Sequence, residues 1–192
     1  MKRRLLLAAA SFAASTAPAF AHLDPAEHGS LLAGFTHPLW GLDHILVMIA
    51  VGLWAAQIGG RALWVVPSAF VGTMAFGFAL AVAGVHLPFV EPAILASVVA
   101  LGLLVAMAVR MEAVACAAVV GVFALFHGYA HGGELGAAGA LPFSTGFVIA
   151  TALLHAAGIG LGFGISLLSS GRVIARILGG LTAFAGLALI FS

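Results

Sequence analysis

Between Ala62 and Gly84 the chain reads ALWVVPSAFVGTMAFGFALAVAG, a run with no ionisable side chain. It is long enough for a helix to cross roughly 30 Å of hydrocarbon, which takes about 20 mostly apolar residues. Apolar and polar residues do not alternate in it, so a helix is expected and not a barrel strand. Comparable runs recur along the rest of the chain. Of the 192 residues, 64% are hydrophobic and 7% charged, and the mean hydropathy is +1.24. A soluble domain carries about 25% charged residues, so a soluble globular enzyme is excluded. Disorder is excluded as well, because few residues prefer water to burial. A net charge of +1 with seven Lys and Arg offers no basic surface to nucleic acid. The single cysteine, Cys116, can form neither an internal disulfide nor a cysteine metal cluster. The expected fold is all-α, a polytopic membrane helix bundle, and its eight histidines are what a function must explain.

The first residues have the grammar of a secretory leader. Lys2-Arg3-Arg4 is a basic start, Leu5 to Ala14 is an apolar stretch too short to span, and Ala19-Phe20-Ala21 is an A-x-A cleavage site. Residues 1–21 are therefore read as a signal peptide and residues 22–192 as one six-helix transmembrane domain. Cleavage would leave His22 first, on the periplasmic side of a bacterial inner membrane.

Six spans follow, at about Pro38–Ala56, Ala62–Gly84, Ala93–Val109, Ala113–His131, Ser144–Leu168 and Val173–Phe191. With His22 outside, the inner loops hold Arg61, Arg110, Arg172 and Arg176, which are all the basic residues after the leader. Asp24, Glu27, Glu91 and Glu134 fall outside, so span count and retained positive charge agree. Both mature termini are then periplasmic. The glycines of the run Gly158 to Gly164 are read as close-packing positions between helices.

Two polar motifs interrupt this apolar background. The first is His37-Pro38-Leu39-Trp40-Gly41-Leu42-Asp43-His44. Pro38 suits the first turn of a helix, and at about 100° per residue His37, Gly41, His44 and Met48 make one stripe. Asp43 lies beside His44, able to accept an imidazole proton or bind a cation, and is too costly to face lipid. The second motif is Phe126-His127-Gly128-Tyr129-Ala130-His131-Gly132-Gly133-Glu134. His127 and His131 share a helix face, and Glu134 continues it if the helix survives Gly132-Gly133. One motif opens span 1 from outside and the other closes span 4 toward it, so both lie at one depth. Imidazoles and carboxylates without thiolate suit Ni, Co or Zn. The plainer alternative makes each histidine a hydrogen-bonded anchor at the interface.

Other polar residues stay open. His155, midway along span 5, is read either as an anchor to a neighbouring helix or as a further station on an ion path. His22 could chelate through its α-amine and imidazole with His28 nearby, or be only a polar leader. His86 is expected to be solvated, and Met48 to pack.

At these motifs the chain resembles the HupE/UreJ family of bacterial membrane proteins. The family's His, five residues, Asp-His pattern is matched by His37, Asp43 and His44. Its Phe-His-Gly-x-Ala-His-Gly-x-Glu run is matched from Phe126 to Glu134, and the likeness extends over the whole chain. The resemblance implies a nickel permease and not an enzyme, with Ni2+ or Co2+ as cargo and no resident cofactor. Its partners would be the nickel ion, the lipid bilayer and the maturation factors of hydrogenase or urease. No P-loop for ATP is present. A membrane-embedded zinc hydrolase, with Glu134 as general base, and a metal-binding protein that does not transport are the competing readings. A shared site requires spans 1 and 4 to pack at roughly 8–10 Å, an approach that Gly41 and Gly128 would permit.

Overall fold

The computed structural model describes residues 29–135 and 139–191. The leader, His22 and His28 lie outside the described residues. Those described form helices, and no strand occurs among them. Helix α1 covers Leu31–Thr36, a 3-10 turn covers His37–Leu39, and α2 covers Leu42–Ile58. Then come α3 (Ala62–Val82), α4 (Val90–Ala106), α5 (Ala113–Leu135), α6 (Ala140–Ser166) and α7 (Gly171–Ile190).

The first span departs from its expected form. Instead of one helix from Pro38, two segments, Leu31–Leu39 and Leu42–Ile58, meet at 81°. Ser30 opens α1 by accepting the amide of Ala33 at 3.0 Å. Pro38 ends it, because its ring nitrogen has no proton for the carbonyl four residues back. Gly41, extended at φ −88° and ψ 116°, then caps α2. The expected stripe from His37 through Gly41 to His44 is therefore broken: His37 sits on the turn and His44 on the helix after it.

Helices occur at the other expected spans, with shifted ends. Helix α4 starts at Val90 and stops at Ala106, where Met107 caps it and Ala108 turns to positive φ. Helix α5 runs through Gly132-Gly133 to Leu135, so the expected break does not occur. A Cβ at Gly132 would press on the carbonyl of Phe78, which shows α5 seated against α3 at that point. Helices α3, α5, α6 and α7 are each long and apolar enough to cross a membrane, and the bent α1–α2 pair passes that test jointly. Helix α4, with 17 residues, is shorter. This is a multi-pass membrane protein, with Leu153, Phe163, Ile177 and Phe184 facing outward.

Packing runs in pairs: α3 against α5, α4 against α7, and α2 against α6. Small residues set the approach. A Cβ at Gly128 would fall on the Met74 carbonyl oxygen, and one at Gly52 on that of His155. Gly128 thus serves the α3–α5 contact and not the expected approach of spans 1 and 4. Helices α2 and α5 are not among the pairs in close backbone contact. They face one another across the bundle, and side chains bridge the gap.

The two ends of the bundle differ. At one, Arg61 borders a cavity shared with Met111 and Glu112, and Arg176 donates to the Ala106 carbonyl at 2.8 Å. At the other, Tyr129 ties down the α3–α4 loop by donating to the Val85 carbonyl at 2.7 Å and accepting the Leu87 amide at 3.1 Å. The histidine motifs lie at this second end.

Candidate metal site

Residues from three parts of the chain converge there. The 3-10 turn carries His37, the first turn of α2 carries Asp43 and His44, and the last turns of α5 carry His127 and His131. His44, His127 and His131 are buried, and His37 and Asp43 are half-buried. Ring centres are 4.5 Å apart for His37 and His131, 4.6 Å for His44 and His131, and 5.1 Å for His44 and His127.

The hydrogen bonds assign the protons. His44 Nδ1 lies 2.9 Å from Asp43 Oδ1, and a carboxylate only accepts, so Nδ1 carries the hydrogen. The lone pair of His44 is then on Nε2, which faces His131 Nε2 at 2.5 Å, and His131 donates across that gap. A carboxylate behind an imidazole fixes its tautomer and raises its basicity as a ligand. His127 is set by a similar device. Ser97 of α4 gives its only proton to the Ile94 carbonyl at 2.5 Å, so its oxygen accepts from His127 Nε2 at 3.0 Å. Nδ1 of His127 is left as a bare lone pair, buried and without a hydrogen-bond partner among the described residues.

Phe147 of α6 closes the cluster from below, 4.7 Å from the His131 ring and 6.3 Å from both His44 and His37. Phe143 stacks on Phe147 at 6.1 Å and also meets His37. The sequence reading missed these three residues. Ser97 is an uncharged polar residue inside expected span 3, and Phe147 lies in expected span 5, with Phe143 one residue before its expected start, where the helix in fact begins at Ala140.

No group of three or more His, Cys, Asp or Glu side chains among the described residues is spaced to hold a metal ion. Two nitrogens on one ion at about 2.0–2.1 Å sit roughly 3.4 Å apart in tetrahedral geometry, so His44 and His131 must part by about 1 Å to share one. Glu134 stays on α5, three residues beyond His131, and its side chain lies outside what is described. His155 is buried on α6, against Phe70 and apart from the cluster's ring contacts. Neither of its nitrogens has a hydrogen-bond partner among the described residues. His86 is exposed in the α3–α4 loop, and Met48 is buried in the core.

A multi-pass helical membrane protein with a buried His and Asp cluster at one end is the class defined so far. The chain belongs to the HupE / UreJ protein family, which matches residues 9–189. It is 48% identical over 185 residues to Protein HupE of Rhizobium leguminosarum bv. viciae, covering 94% of this chain and 95% of that one. No solved structure matches it.

Proposed function

We propose that this protein is an inner-membrane permease importing Ni2+, and Co2+ as a competing cargo, for the maturation of hydrogenase or urease. The observation that carries the reading is the meeting of His44 Nε2 and His131 Nε2, with Asp43 behind the first. An ion entering between the two nitrogens takes the place of the proton they share, which moves to His131 Nδ1 so that both rings bind as neutral imidazoles. His37 and the bare Nδ1 of His127 are the adjoining donors, and Glu134 is the second carboxylate within reach by sequence. His22, freed by leader cleavage, is a first point of capture.

Chemistry favours passage over storage here. Neutral imidazoles with few carboxylates bind a divalent ion firmly enough to remove its water and weakly enough to release it. A closed set of four fixed ligands would trap it. The reading takes α4 as a crossing, making six with the α1–α2 pair as one. It puts the Arg end in the cytoplasm and both mature termini in the periplasm.

The test is radioactive nickel uptake by cells that lack their own nickel carriers, with and without this chain, and with cobalt or zinc in competition. Saturable uptake that needs His44 and His131 is expected. Binding of nickel without any flux would overturn the import reading in favour of a sensor or metal store.

A further inference from the structure

Below the cluster, α6 presents Phe143, Phe147, Thr151 and His155 at four-residue steps, all buried. Each step descends about 6 Å, so His155 lies roughly 12 Å deeper than Phe147, which touches the outer histidines. Two residues of α3 face this stripe. Thr151 Oγ1 donates to Met74 Sδ at 3.7 Å, and one turn away the Phe70 ring stands edge-on to His155 at 5.0 Å. Phe70 also lies 5.9 Å from His127 of the outer cluster, so one aromatic ring touches the histidines at both depths.

His155 is 1% exposed, and neither ring nitrogen has a hydrogen-bond partner among the described residues. A neutral imidazole holds one donor and one acceptor, and leaving both unmade in a buried site is costly. Phenylalanine or leucine would fill that space without the cost. An imidazole retained there, in line below a cluster of the same ligands, has a partner that comes and goes.

We infer that His155 is an inner ligand for the imported divalent ion, that Met74 and Thr151 line the step down to it, and that the Phe70 ring is the barrier between the two stations. This rests on the import reading. A single imidazole among a thioether, a hydroxyl and aromatic rings holds the ion loosely, as a point of transit requires. With the Phe70 ring in place the outer cluster and His155 are separated. Turning it aside joins them without any helix having to move.

The test places a spectroscopic reporter at the inner station. In purified Cys116→Ala protein, whose lost thiol lies in the core away from this path, His155→Cys is titrated with Co2+. A thiolate-to-cobalt charge-transfer band is expected with His155→Cys and not with Cys116→Ala alone; its absence overturns the inference. In cells, His155→Ala and His155→Leu are expected to lower nickel uptake roughly tenfold or more, while the purified variants keep the nickel binding that depends on His44 and lose only the weaker inner binding. Uptake near that of the unmodified protein, or loss of the His44-dependent binding along with uptake, overturns the inner station, the second outcome making His155 a packing support. The unmodified protein and His44→Ala serve as the separate controls. Binding without uptake in the first means that the import reading fails and not merely this extension of it. Full binding and uptake in the second mean that the outer site does not depend on His44.

Discussion

His44 and His131, 87 residues apart in sequence, meet Nε2 to Nε2 at 2.5 Å although their helices are not in close backbone contact. The join is made by side chains alone. A small change in either ring's position therefore opens or closes the gap, whereas packed backbones would resist it. On the proposed reading, a site built this way is tuned by the groups that aim the rings.

Asp43 is one such group. Asp43→Ala is expected to lower nickel uptake by roughly 10–100-fold, the usual effect of removing a partner behind a ligating histidine. Asp43→Asn keeps an acceptor for His44 Nδ1 but loses the charge, so its rate should fall between the two. Initial uptake rates, normalised to protein in the membrane, decide this. Equal rates for all three forms would show that the carboxylate does not act through His44.

Ser97 is the other. Ser97→Ala leaves the buried His127 Nε2 hydrogen without its acceptor, at a cost of about 1–3 kcal/mol in stability. It also frees His127 to adopt the tautomer whose Nδ1 carries the proton and cannot bind metal. Weaker nickel binding and a lower melting temperature in detergent are expected together. Ser97→Thr, which keeps the hydroxyl, should recover the binding. A Ser97→Ala protein with full binding would make the bond to His127 incidental.

The sequence reading reached the cluster because its two cues are local and its third is topological. The Asp43-His44 pair and the four-residue spacing of His127 and His131 need only helical geometry, and an even number of crossings between them brings both motifs to one end. The failures share a cause of another kind. Pro38 fits a helix start as well as a helix stop, and only the α1 turn before it shows that it does the second. Gly132-Gly133 reads as a break, yet seating against Phe78 carries α5 through it. Gly128 was given the wrong partner, since a glycine signals close approach without saying to which helix. Ser97 and Phe70 gain their meaning only from what lies across the bundle.

The seating of α5 on α3 yields a stability prediction. Gly128→Ala puts a methyl group onto the Met74 carbonyl, and overpacking of this kind typically costs about 1–3 kcal/mol. Gly160→Ala, whose added methyl would meet nothing within 4 Å, is the matched control. Thermal unfolding in detergent should fall for the first and not for the second. Equal melting of both would mean that α3 and α5 are not held at this distance.

The break in the first span makes the last prediction. Gly41 stands where the 3-10 turn hands over to α2, and a Cβ there would lie 2.7 Å from His44 Nδ1 and 2.8 Å from Asp43 Oδ1. Both are ends of side chains and not backbone, so the fold can accept Gly41→Ala by pushing the pair aside. The backbone at Gly41, at φ −88°, is open to any residue, which removes strain as an explanation. Gly41→Ala is therefore expected to accumulate and melt like the unmodified protein while losing nickel uptake, because the Asp43–His44 bond that aims Nε2 at His131 no longer fits. Pro38→Ala acts on the same break from the other side: with an amide proton restored, α1 can continue through the turn and carry His37 away from His131. Uptake should fall there too, with helix content by circular dichroism unchanged or slightly raised. Full uptake in Gly41→Ala would show that the cluster tolerates a displaced carboxylate and that the Asp43–His44 bond is not what aims Nε2 at His131.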